Sequence, residues 1–98
     1  MNREQYDKVL KVIEEDTQTT CILCNSWDEM CIVGGLLYAA GTRIDHLRGY
    51  NKPTGSQQAK LARVYGIRDY RQWVIVNDNY SQRDERQQAL RDLAMMEL

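Results

Sequence analysis

The sequence predicts a mainly α domain, a compact bundle of four to six short helices with room for one small β-hairpin near residues 20–31. Three observations carry that prediction. Apolar residues recur at helical spacing through most of the 98 residues. Capping residues and glycines bracket those stretches. The one compact β-branched run, 20–25, is short and bounded by turn formers.

Asn2 with Gln5 three residues later has capping-box form, and Tyr6, Val9, Leu10 and Ile13 follow on one face. A first helix is predicted from about residue 3 to 16. The polar run Asp16-Thr17-Gln18-Thr19-Thr20 ends it. Thr20-Cys21-Ile22-Leu23-Cys24-Asn25 suits a strand, and Ser26-Trp27-Asp28-Glu29 a reversal. From Met30 onward Val33, Leu36, Leu37 and Ala40 return to helical spacing. Gly41 then sits where a helix ends in the left-handed conformation at least cost. This segment is apolar on nearly every side and should be the central, buried helix. Gly34 and Gly35 each cost it about 1 kcal/mol against Ala. Either another backbone approaches closely there, or they mark the helix start.

Thr42 and Asp45 repeat a capping pattern, with Ile44 and Leu47 inward and Gly49 as the stop, which gives a short helix of two turns. Asn51-Lys52-Pro53-Thr54-Gly55 is a loop and holds the single proline. Ser56 is the predicted cap of the next helix, with Leu61, Val64 and Tyr65 on its apolar face and Gly66 closing it. Asp69 caps a further helix whose inner face is Tyr70, Trp73, Val74 and Asn77; a buried strand over Trp73-Val74-Ile75-Val76 is the alternative. Ser81 and Asp84 cap a final helix, with Leu90, Leu93, Ala94 and Leu98 inward and Arg83, Arg86, Gln87 and Arg91 outward. With no repeat and no linker, residues 1–98 form a single domain.

Composition narrows the function. At 43% hydrophobic and 28% charged residues the chain is globular rather than disordered. A chain this small leaves little interior for an enclosed active site. No apolar run approaches the roughly 18 to 20 residues of a membrane helix, so no membrane partner is expected. The amino terminus alternates charge with hydrophobe, unlike a secretory signal. Together with three cysteines, an odd number, this points to reduced thiols in a cytoplasm.

Cys21-x2-Cys24-x6-Cys31, followed by His46, is the one metal-like constellation. Zinc wants four soft or imidazole ligands in a tetrahedron, and a C-x2-C pair supplies two. The second pair is badly formed, because Cys31 opens an apolar run and His46 lies fifteen residues on. Inert thiols, packed as small hydrophobes, are the preferred reading ahead of zinc or a redox pair. No metal or other cofactor is therefore assigned. Nucleophilic catalysis needs a Cys or Ser beside a base and an orienting carboxylate. The only histidine lies in a cationic stretch and no catalytic motif is present, so no enzymatic activity is assigned.

Charge is the informative signal. Residues 1–31 carry seven acids against three bases, whereas 32–98 carry ten bases against seven acids. Within 43–71, Arg43, Arg48, Lys52, Lys60, Arg63, Arg68 and Arg71 face only Asp45 and Asp69, interleaved with Tyr50, Tyr65 and Tyr70 and followed by Trp73. Cations with aromatic rings suit phosphates and bases, or a partner protein with an acidic surface. They are equally the composition of a solvated helix face over a core. A net charge of −1 argues against a dedicated DNA binder. Asn77-Asp78-Asn79 ends a hydrophobic segment; it suits ligand hydrogen bonding, or else a turn that caps backbone amides.

Taken in order, Cys31-Ile32-Val33-Gly34-Gly35-Leu36, then Leu61-Ala62-Arg63-Val64-Tyr65-Gly66, then Val76-Asn77-Asp78 resembles a family of small uncharacterised bacterial and phage domains. Its members show a C-A-x-G-A-L segment, a later L-x-x-x-x-G, and W-N-D before a capped helix. This chain has Gly35 where that family has Ala and Val76 where it has Trp. The resemblance implies a domain type and a role for Asn77 and Asp78, and no reaction.

The leading expectation is a non-enzymatic binding protein of a bacterium or phage. It would occupy an acidic-surfaced partner protein through Arg43, Arg48, Lys52, Arg63, Arg68, Tyr70, Arg71, Asn77 and Asp78. The rival is a homo-oligomer that sequesters a nucleotide or another phosphorylated small ligand. A zinc-stabilised module is third.

Overall fold

Helix α1 (Arg3–Glu15) begins on the reciprocal cap that the sequence predicts: Gln5 N–H donates to Asn2 Oδ1 at 2.8 Å and Asn2 N–H to Gln5 Oε1 at 2.9 Å. Its inward face is Tyr6, Val9 and Ile13. The computed structural model describes residues 1–15 and 22–98. The polar run predicted to end α1, and the Thr20 and Cys21 of the strand reading, lie outside the described residues.

Ile22 and Leu23 lie in a bend and no strand forms here: Cys24 makes a single antiparallel bridge to Met30 and a single parallel one to Arg48. The hairpin expected at 20–31 is thus reduced to its reversal. The Asn25 side chain explains why, since its Oδ1 accepts the N–H groups of Trp27 and Glu29 at 2.9 and 3.0 Å. That closes the turn at once, with Asn25 N–H donating to Glu29 O. Cys31 starts the next helix immediately, so too few residues remain for a second strand.

Helix α2 (Ile32–Ala39) is capped by the Cys31 thiol, which accepts the Gly34 N–H at 3.4 Å, and it ends at Gly41 in the left-handed region, φ +99°. As expected it is central: it packs against α1 and against two later helices, α3 (Gly55–Tyr65) and α4 (Tyr70–Asn79). Gly34 is the position where another backbone approaches. A Cβ there would overlap the Leu23 carbonyl, 2.7 Å from its carbon.

The two-turn helix expected after Thr42 is a single 3-10 turn, Ile44–His46, with no side-chain cap. The Thr42 hydroxyl is engaged instead by Lys60. The cap of α3 is Thr54 rather than Ser56, because Gln57 reciprocates: Gln57 N–H donates to Thr54 Oγ1 and Thr54 N–H to Gln57 Oε1. Gly66 closes α3 in the left-handed conformation. Helix, not strand, forms over Trp73-Val74-Ile75-Val76, with Asp69 as its cap.

Helix α5 (Arg83–Met96) packs on α1 and α4 and departs most from its prediction. Gln82 holds the cap position without a side-chain bond, in place of Ser81. Arg86 and Gln87, expected outward, are buried. They share a face with Leu90 and Ala94, and each reaches a carbonyl: Arg86 Nη1 donates to Tyr80 O and Gln87 Nε2 to Ile13 O, both at 2.8 Å. Leu98, expected inward, lies past the helix end and is exposed. One continuous core joins Val9, Ile13, Leu36, Leu37, Leu61, Trp73 and Leu90 among others.

Candidate functional site

The nine predicted binding residues fall on separate segments. Arg43, Arg48 and Lys52 lie between α2 and α3, Arg63 on α3, Arg68 between α3 and α4, and Tyr70, Arg71, Asn77 and Asp78 on α4. Arg48, Asn77 and Asp78 are committed internally. Arg48 donates from Nε and Nη2 to Asp28 Oδ1 at 3.0 and 2.7 Å, and that hydrogen bond and charge hold its guanidinium more firmly protonated. Asn77 is fully buried: its Oδ1 accepts the Ile32 N–H at 3.0 Å and its Nδ2 donates to Asp78 Oδ1 at 3.1 Å. The amide-capping reading of Asn77 therefore describes it, since Ile32 is the first residue of α2 and its N–H has no acceptor within the helix. Arg71 lies over the half-buried Tyr70 ring at 5.9 Å, and Lys52, Arg63, Arg68 and Arg71 are exposed.

Of three concavities among the described residues, one is lined by a residue of the nine, Arg43, together with other polar groups. The cleft, of about 460 Å³, opens between residues 41–50 and the first turns of α3. Gly41 reverses the chain after α2, and buried Leu47 anchors the loop, which leaves Thr42, Arg43, His46 and Tyr50 along one wall. The opposite wall is Thr54, Ser56, Gln57 and Lys60. Two bonds tie the walls together: Lys60 Nζ donates to Thr42 Oγ1 at 3.1 Å, and Gln57 Nε2 donates to His46 O at 3.4 Å. The site is thus held in shape by its own lining, which lowers the ordering cost of binding.

Two cationic side chains, Arg43 and Lys60, join the His46 imidazole in this lining, and no carboxylate does. Arg43 also meets Asp45 at 3.2 Å, but that pair is exposed on both sides. Such pairs are worth at most about 1 kcal/mol and yield readily to a better anion. The chain matches no protein-family model, no curated protein and no solved structure. The charge of its lining selects this cleft over two further concavities. One of about 250 Å³ is lined by Val12, Met30, Gly35, Tyr38 and Ala39 with Glu15 and Asp28. Another of about 500 Å³ runs along Lys8, Lys11, Val12 and Glu15 to Val64 and Tyr65. Both include carboxylates and adjoin the end of α1.

Of the metal-like constellation, the described Cys24, Cys31 and His46 form no ligand group. Cys24 is buried, its thiol donates to Asn25 O at 3.5 Å, and desolvation, reinforced by Asp28, raises its pKa. Cys31 caps α2, His46 lines the cleft, and Cys21 lies outside the described residues. Among the described residues no group of three or more His, Cys, Asp or Glu side chains is placed to hold a metal.

Thr42, His46, Tyr50, Thr54, Ser56, Gln57 and Lys60 line the cleft without being among the nine predicted binding residues, although Tyr50 and Lys60 belong to the basic aromatic stretch. Thr54-x-x-Gln57 was a legible capping box that would have set the start of α3. Trp27 was missed as well. It is 83% exposed, at the tip of the turn that Asn25 closes and Asp28, at φ +59°, completes.

Proposed function

We propose that the protein is a non-enzymatic binding protein that captures a phosphate-bearing small ligand in the cleft between residues 41–50 and α3. The lining carries this reading: Arg43, His46 and Lys60 come together with hydroxyls and no carboxylate. A volume of about 460 Å³ falls within the usual range of small-ligand sites, about 300 to 1,000 Å³. His46 and Ser56 share the cleft, and among the described residues no carboxylate lines it to orient the imidazole, which speaks against nucleophilic catalysis. Bound at 100 times its Kd, such a ligand stabilises the fold by on the order of 2.7 kcal/mol.

The test is a thermal-shift series with inorganic phosphate, pyrophosphate and phosphorylated metabolites, repeated on two variants. The reading expects at least one ligand to raise the midpoint, Lys60→Glu to abolish the rise, and the triple Arg63→Glu, Arg68→Glu, Arg71→Glu to leave it intact. An unchanged midpoint across the whole series would sink it.

An acidic-surfaced partner protein is the second reading, favoured by the exposure of Trp27 and of Tyr50, aromatic anchors of the kind that dominate interfaces. On that reading the triple arginine variant loses a stoichiometric partner in pull-downs, and the phosphate series is silent.

A further inference from the structure

Resting on the phosphate reading of the cleft, we infer that its ligand is a nucleotide, with the base stacked on Tyr50 and the phosphate held by Lys60 and Arg43. Tyr50 belongs to the cleft lining, yet its side chain is 57% exposed. Its backbone is pinned on both sides: Tyr50 O accepts the Leu23 N–H at 2.8 Å, and Tyr50 N–H donates to Leu47 O at 3.1 Å. The preceding Gly49 takes φ +84°, a conformation that costs other residues strain. The chain thus spends a left-handed glycine and two hydrogen bonds to hold an aromatic ring at the lip of a cationic cleft, outside the core.

An aromatic ring on a pinned backbone beside two cations matches the two halves of a nucleotide. Phosphate takes the charge, and a base of any sequence takes the ring. Inorganic phosphate or a sugar phosphate would leave the ring unused.

The experiment is calorimetric titration of the full chain with inorganic phosphate, the four ribonucleoside monophosphates and a short acidic peptide. The parent, Tyr50→Ala and Tyr50→Phe are compared. At least one nucleoside monophosphate should bind about fivefold or more tighter than phosphate. Tyr50→Ala should bring that ligand down to the phosphate level, Tyr50→Phe should keep the preference, and phosphate itself should be unaffected by either change. If phosphate binds and no nucleotide exceeds it, or if Tyr50→Ala weakens both alike, the nucleotide inference fails while the cleft reading stands. If only the acidic peptide binds, or nothing does, both fail.

Discussion

The side-chain carbonyl of Asn77, in the last turn of α4, accepts the backbone N–H of Ile32, the first residue of α2, at 3.0 Å inside the core. A helix start buried without a cap would strand that donor. Asn77→Ala should therefore cost about 1 to 3 kcal/mol in urea denaturation, the penalty of an unsatisfied buried group. It should leave the phosphate-series response of the cleft unchanged. Loss of ligand response with unaltered stability would return Asn77 to a binding role.

Gly34 and Gly35 are neighbours in sequence and opposites in tolerance. A methyl group at Gly34 collides with the Leu23 backbone, whereas at Gly35 it meets only the Val12 Cγ1, at 3.3 Å. Backbone cannot step aside as a side chain can. Gly34→Ala should lose about 3 kcal/mol or more, the upper end of overpacking costs. Gly35→Ala should stay within about 1 kcal/mol of the parent, because helix propensity gained offsets crowding. Equal midpoints for the two variants would contradict the close crossing.

Tyr65 donates its buried hydroxyl to Leu36 O at 2.6 Å, and desolvation pushes its pKa up to about 12. The unfolded value is about 10. The folded chain therefore holds the proton more tightly. The stability this contributes is fully present below about pH 10 and is lost as pH rises towards 12. Tyr65→Phe should lower stability at neutral pH by about 1 kcal/mol. It should also flatten the decline between pH 10 and 12 relative to the parent; an identical alkaline slope in both proteins would count against it.

The two tryptophans sit at opposite extremes, Trp73 wholly buried and Trp27 at the tip of a turn. Trp27→Phe should leave a blue-shifted emission that acrylamide quenches poorly, with stability within about 0.5 kcal/mol of the parent, as for surface changes generally. A red-shifted, readily quenched spectrum from the remaining Trp73 would show the core packed otherwise.

What could be read from the sequence was what is local. Asn2 with Gln5, Gly41, Gly66 and Asp69 act within one turn of themselves, and each bounds a helix where expected. Where two caps compete within two residues, as with Thr54 and Ser56, the reciprocal partner Gln57 decides, and the box was visible in the residues. Arg86 and Gln87 misled because their polarity outweighed their position. Their spacing to Leu90 and Ala94 already put them on the inner face, and the carbonyls of Tyr80 and Ile13 made that face acceptable.

The cleft was not legible in the same way. Its walls meet through Thr42 with Lys60 and His46 with Gln57, contacts 18 and 11 residues apart that no periodicity announces. The basic stretch was correctly noticed as one-sided. Its arginines, however, scatter over α3, α4 and the connections, and the cation that completes the lining is Lys60, a member of that stretch left outside the nine predicted binding residues.

The bond from Gln87 to Ile13 O spans 74 residues and seats a side chain of the last helix on one of the final carbonyls of the first. Docking of α5 therefore gives the Ile13 carbonyl, in the last turn of α1, a buried donor. Cooperativity is thus built into the capping itself: fraying of α5 strips α1, and the two should open together. In native-state hydrogen exchange the amides of Val9 and Ile13 should share one opening free energy with those of Leu90 and Ala94, as members of a single unfolding unit.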